Sequence, residues 1–98
     1  MEFKRVDPFC RFTIPDKLTV RQQLAFFSGS LVVGSADYQE RLWMGAQALI
    51  QEWECPALPD RNIDLDKTTD PQVTQVMLWA GNQVRAYLNN AVFAVPKN

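Results

Sequence analysis

Histidine is absent from this chain of 98 residues. Its absence removes His-based general acid–base catalysis and nearly every metal site that mixes imidazole with thiolate or carboxylate ligands. Cysteine is scarce, since only Cys10 and Cys55 are present, and neither has an imidazole with which to form a reactive thiolate pair. We therefore interpret both cysteines as small, reduced, buried residues. We predict no enzymatic activity, no cofactor and no metal site.

Strong positive charge and long apolar runs are also missing. The net charge is −1, so no positive field is available to hold a phosphate backbone. No apolar run approaches the about 20 residues that cross a membrane. The first ten residues, MEFKRVDPFC, lack the apolar segment of a signal peptide. We predict a cytoplasmic protein that binds neither nucleic acid nor membrane.

The acidic segment DRNIDLDKTTD places oxygen-bearing side chains at alternate positions from Asp60, as a calcium-binding EF-hand loop does. Such a loop requires glycine at its sixth position and glutamate at its twelfth. Leu65 and Pro71 occupy those positions here. We therefore predict a solvated acidic loop, accessible to proteases, within the long connection of residues 54–70.

Apolar periodicity predicts an α+β fold that is predominantly α, in a single domain spanning residues 1–98. The first helix, near 19–29, begins at a capping box formed by Thr19 and Gln22. Its inward face is predicted to carry Val20, Leu24 and Phe27. A short strand, FCRFTI at residues 9–14, is expected to pair with AVFAV at residues 91–95 in a minimal sheet.

Two longer helices are predicted to build most of the core. The second spans residues 36–53, is capped by Ser35 and has an inward face of Tyr38, Leu42, Ala46, Leu49 and Trp53. The third spans residues 71–89, with Asp70 as its cap, Pro71 at its first position and Asn89-Asn90 at its end. Its inward face is predicted to carry Val73, Val76, Met77, Ala80, Val84, Tyr87 and Leu88.

Four large apolar residues lie away from these inward faces: Phe26, Met44, Leu78 and Trp79. Two interpretations remain open. A helix that touches both another helix and a sheet needs a broad apolar arc, which would bury them, and Trp79 fits this interpretation best. Alternatively, they form an exposed patch that contacts a partner protein or another copy of the chain, since aromatic residues and methionine are enriched in interfaces. We expect at least two of the four to be exposed by more than a third.

Three segments resemble the tail assembly chaperones of long-tailed bacteriophages. They are TVRQQLAFF, YQERLWMGAQALIQEW and LPDRNIDLDKTTDPQVTQVMLWAGNQVRAYL, within residues 13–90. The resemblance lies in segment order and texture, and it contains no catalytic fingerprint. It implies a mainly helical, non-enzymatic protein of the host cytoplasm. Members of that family keep the tape-measure protein soluble and help tail-tube subunits assemble on it.

Two other functions fit the same composition. One is a small phage or bacterial protein that inhibits or regulates a host protein. The other is a structural virion subunit, such as a head–tail connector, that forms homo-oligomeric rings. The three functions share one feature, which is a surface that binds protein.

Overall fold

A computed structural model describes residues 1–30 and 37–93 of the chain. In these ranges the order of elements is β1 (Glu2–Val6), β2 (Phe9–Thr13), α1 (Val20–Ser30), α2 (Tyr38–Leu49), β3 (Glu52–Glu54) and α3 (Pro71–Phe93). The helices hold far more residues than the strands. The predicted α+β class with a predominance of helix is therefore confirmed.

The sheet is antiparallel, with β2 between β1 and β3. Phe12 of β2 lies opposite Phe3 of β1 and opposite Trp53 of β3. These aromatic residues point toward the helices, and Phe3 and Phe12 are buried. On the other face, the Arg11 guanidinium binds a carboxylate on each edge strand: Glu2 of β1 at 2.9 Å and Glu52 of β3 at 3.2 Å. The β1–β2 turn contains a cis Asp7–Pro8 peptide bond.

The predicted sheet is correct for β2 and wrong for its partners. Ala91–Phe93 continue α3, and the remainder of AVFAV, residues 94–95, lies outside the described residues. The strands that pair with β2 are instead Glu2–Val6 and Glu52–Glu54, and the second of these includes the last two residues of the predicted second helix. Tertiary contact explains the change, because Trp53 packs on Phe12 with ring centroids 5.9 Å apart. Strand β1 has no counterpart in the predicted sheet.

The starts of α1 and α3 follow the predicted capping signals, whereas α2 begins at Tyr38 and not at residue 36. The Thr19 backbone N–H donates to Gln22 Oε1 at 2.9 Å, and the Gln22 N–H donates to Thr19 Oγ1 at 3.1 Å, which confirms the capping box. At α3 the Gln72 N–H donates to the Asp70 carboxylate at 2.9 Å, which confirms that cap. The predicted cap Ser35 lies outside the described residues. Asn89-Asn90 do not end α3, which continues to Phe93.

Helices α2 and α3 supply the core in the predicted orientation. The buried residues are Leu42, Trp43, Ala46 and Leu49 of α2 and Val73, Val76, Ala80, Val84 and Leu88 of α3. The predicted inward face of α1 is wrong for Val20 and Leu24, whereas Phe27 is half-buried and packs against the core as predicted. Val20 is 69% exposed and Leu24 is 65% exposed, whereas Phe26 is 2% exposed. This short helix packs chiefly on α2, so the residue that meets α2 decides its orientation.

Candidate protein-binding site

A groove of about 520 Å³ separates α1 from α2. Its floor is apolar and buried, because Phe26 and Leu49 line it and are 2% and 5% exposed. Gly45 makes the close approach of the helices possible: a β-carbon at that position would lie 2.8 Å from Phe26 Cδ2. The remaining lining residues form the walls and rim: Gln22, Ala25, Ser28, Asp37, Glu40, Arg41, Met44 and Ala48.

Apolar side chains surround this groove without being covered. Met44 lines it and is 59% exposed. Val20 and Leu24 line a second hollow along α1, and Ala25 and Ser28 line both hollows, so the two adjoin. The result is one apolar surface, which we call the α1–α2 surface and define by Val20, Leu24, Ala25, Phe26 and Met44. Aliphatic residues with this degree of exposure on adjoining helices are typical of a surface that meets another protein.

The rim of the groove carries an unequal set of charges. Arg41 Nε of α2 lies 3.2 Å from Oδ2 of Asp37, the residue that precedes the helix, so these two side chains neutralise each other. Glu40 also lines the groove, is exposed, and has no ion-pair partner among the described residues. The rim therefore has one uncompensated negative charge, which favours a partner with a basic residue beside its apolar contacts.

The four apolar residues predicted to lie away from the inward faces of their helices occupy three different places. Met44 lines the α1–α2 groove and Phe26 forms its floor, so the structure brings these two together. Leu78 is 40% exposed and lines a separate hollow of about 170 Å³ between α2, α3 and the 55–70 connection. Trp79 lies on the sheet side of α3. The expectation that at least two would be exposed by more than a third is met by Met44 and Leu78, and the expected exposure of Phe26 is wrong.

Trp79 belongs to the contact between α3 and the sheet. Its ring meets that of Phe12 edge-on, with centroids 5.4 Å apart. The Arg5 guanidinium lies 5.9 Å from the Trp79 ring, so the indole is covered on two sides and is half-buried. The interpretation of a broad apolar arc therefore holds for Trp79.

Sequence reasoning missed Val20 and Leu24, because it assigned both to the core. A signal was present in Gly45. Glycine in a helix interior is less stable than alanine by roughly 1 kcal/mol and often marks a close packing contact. The contact partner of Gly45 is Phe26, and with Phe26 inward, Leu24 must turn outward.

The acidic connection contains local turns. Asp60 Oδ1 accepts the Asn62 N–H at 2.9 Å, and Asp64 Oδ1 accepts the Asp66 N–H at 3.0 Å. These carboxylates therefore stabilise the backbone of the loop itself. Within residues 1–30 and 37–93, no group of three or more acidic or cysteine side chains is placed to hold a metal ion.

Comparison with known proteins assigns this chain to no family. No protein-family model, no curated protein and no solved structure matches this chain. None of the helices in the described ranges has the combined length and apolar character of a membrane span. A functional class must therefore be argued from the α1–α2 surface and from the sequence resemblance.

Proposed function

We propose that this protein is a non-enzymatic protein-binding module and that the α1–α2 surface is its binding site. The observation that carries the proposal is the exposure of Val20, Leu24 and Met44 around a groove with an apolar floor. Burying such side chains against a partner is favourable by about 25 cal/mol for each Å² of apolar area removed from water. Methionine suits this role, because its flexible thioether adapts to partners of different shape.

The particular function we propose is that of a phage tail assembly chaperone in the host cytoplasm. The sequence resemblance supports this choice, and the groove suits the task. A partner that needs help to stay soluble is one that exposes apolar side chains before it assembles. A groove between two helices can receive such side chains from an amphipathic helix, with anchors spaced by one turn. Covering them would keep the tape-measure protein soluble until tail-tube subunits assemble on it.

Co-expression with the tape-measure protein of the same genome tests the proposal. We expect the wild-type chain to co-purify with it and to keep it in the soluble fraction. Met44→Glu and Leu24→Glu should abolish both effects, because each places a charge on the apolar surface without disturbing the core. Val6→Glu is the matched control: Val6 is 85% exposed on the β1–β2 hairpin, away from α1 and α2.

Three results would contradict parts of this proposal. Failure of the wild-type chain to retain the tape-measure protein removes the chaperone function. Equal retention by Met44→Glu and wild type removes the α1–α2 surface as the site. Sedimentation of the chain alone gives the third: if the wild type self-associates and Met44→Glu does not, the occupant of the groove is a second copy of this chain.

A further inference from the structure

Cys10 and Cys55 lie opposite each other at the end of the sheet. The pairing of β2 with β3 joins Thr13 to Glu52, Phe12 to Trp53 and Arg11 to Glu54. One further step in this antiparallel register places Cys10 opposite Cys55, the first residue after β3. Both side chains are buried, at 0% and 4% exposure, and both lie on the core face, two positions along from Phe12 and Trp53.

The hydrogen-bonding pattern indicates which kind of cross-strand pair this is. Met1 and Ile14 exchange backbone hydrogen bonds in both directions, each at 3.0 Å. In the same register, every second residue of β2, including Cys10, directs its backbone groups toward β1. In the pairing of β2 with β3, Cys10 therefore occupies a non-hydrogen-bonded position. Opposed residues of this kind have α-carbons about 4.5 Å apart, within the range that a disulfide bridges.

The two thiols already interact. Burial, and after it the nearby Cys55 thiol, raises the pKa of the Cys10 thiol well above its usual range. Cys10 is thus held as a neutral thiol in the core, beside a second sulfur, and it is a poor first nucleophile.

We propose that Cys10 and Cys55 form an oxidative modification site, which hydrogen peroxide converts to an intramolecular disulfide. Cys55 reacts first, because it follows an edge strand of three residues, and so few cross-strand contacts must break to admit a small oxidant there. Its thiolate attacks one peroxide oxygen, the O–O bond breaks, and Cys55 becomes a sulfenic acid while hydroxide leaves and takes up a proton. The Cys10 sulfur then attacks the Cys55 sulfur, the S–O bond breaks and water leaves. Two thiols lose two electrons and one peroxide becomes two waters.

The disulfide would tie β3 to β2 covalently at the point where the 55–70 connection begins. Cross-linking residues that are distant in sequence stabilises a fold mainly by restricting its unfolded state. The oxidised chain should therefore resist urea better than the reduced chain. This inference is independent of the proposed chaperone function, because it concerns the sheet and not the α1–α2 surface.

The test begins with hydrogen peroxide added to the folded, reduced chain, followed by alkylation and intact-mass measurement. We expect the loss of two hydrogen atoms, the loss of both alkylation sites and a monomeric product. Peptide mapping should place the link between Cys10 and Cys55 and separate it from oxidation of the exposed Met44. The urea midpoint should rise on oxidation and return to its original value after reduction.

Single variants test the order of events. Cys10→Ser should leave a sulfenic acid at Cys55 that dimedone traps, whereas Cys55→Ser should leave Cys10 unmodified. As a second route, the reduced, unfolded chain is refolded in a glutathione redox buffer, where we expect the same link. Four results would each overturn the proposal. Three concern the link: oxygen is added without a link, the link joins two chains, or neither route gives a link. The fourth is a lower urea midpoint in the linked chain.

Discussion

Gly81 of α3 lies directly against Leu42 of α2: a β-carbon at position 81 would stand 3.0 Å from the Leu42 Cβ. It would also stand 3.1 Å from the backbone of α2 at Leu42 C and Trp43 N. Leu42 is fully buried, so α2 cannot yield without moving the core. The two central helices therefore approach each other at a point where an added methyl group would force a shift of a few tenths of an ångström.

We expect Gly81→Ala to destabilise the protein by about 1–3 kcal/mol, because overpacking against a backbone forces the two helices apart. The penalty should exceed the roughly 1 kcal/mol that alanine gains over glycine within a helix. Gln83→Ala, on the exposed face of the same helix, is the control and should change stability by no more than about 0.5 kcal/mol. Urea denaturation measures both, and a midpoint for Gly81→Ala at or above wild type would contradict the close approach.

Substitutions in α1 test which of its faces meets the core. Phe26→Ala should cost about 3 kcal/mol, since it removes a buried ring that packs on Gly45 and lies edge-on to Phe27 at 5.5 Å. Leu24→Ala should change stability by less than about 0.5 kcal/mol, because the side chain is exposed. Thermal unfolding of the two variants gives the comparison. If Leu24→Ala destabilises the protein more than Phe26→Ala does, Leu24 faces the core as the sequence predicted.

The cap of α3 provides a third test. Asp70→Ala should cost about 1 kcal/mol, because the N–H of Gln72 loses its side-chain acceptor at the helix start. Asp66→Ala removes a carboxylate from the same connection without removing a cap, and it should be nearly neutral. If the two variants have equal urea midpoints, Asp70 stabilises the protein no more than a carboxylate without a capping hydrogen bond does.

The 55–70 connection should be cleaved unevenly by trypsin. Its first half is held to the core: Leu58 is buried and its carbonyl accepts the Trp53 indole N–H at 2.7 Å. The Arg61 guanidinium lies 5.7 Å from the Trp53 ring. The Lys67 side chain is 85% exposed. We expect limited proteolysis to cleave after Lys67 before Arg61, as identified by the masses of the first fragments.

A matched variant separates exposure from enzyme preference. Arg61→Lys keeps a trypsin site and weakens the contact with the Trp53 ring, because lysine lacks the planar guanidinium. Cleavage after position 61 should then become faster. If trypsin cleaves the wild-type chain first after Arg61, the first half of the connection is not better protected by the core than the second half.

Local signals in the sequence predicted those parts of the fold that are decided locally. The Thr19–Gln22 capping box and the Asp70–Pro71 start each depend on groups within one helical turn, and both are present as predicted. The inward face of α3 was also predictable, since a long helix with a regular apolar period leaves little choice of orientation.

The incorrect predictions concern segments whose structure depends on residues distant in sequence. Trp53 continues the apolar period of α2, yet it leaves the helix because Phe12 and the open edge of β2 lie beside it. The orientation of α1 depends on Gly45, which is distant in sequence, and it determines which residues form the candidate site. Of the residues predicted as that site, Met44 lies on the α1–α2 surface as an exposed side chain, and Phe26 lies beneath it.

The short strand β3 also determines the order in which the sheet can be completed during synthesis. The hairpin of β1 and β2 joins residues close in sequence, whereas the Glu52 N–H bonds Thr13 Oγ1 across 39 residues. Contacts of that separation form late, because a long loop must close before they can contribute. While residues 52–54 are still inside the ribosome, β2 presents unpaired backbone groups along one edge, and such an edge can pair with other chains. Emergence of Trp53 ends that exposure, so a translational pause before this residue would favour aggregation of the nascent chain.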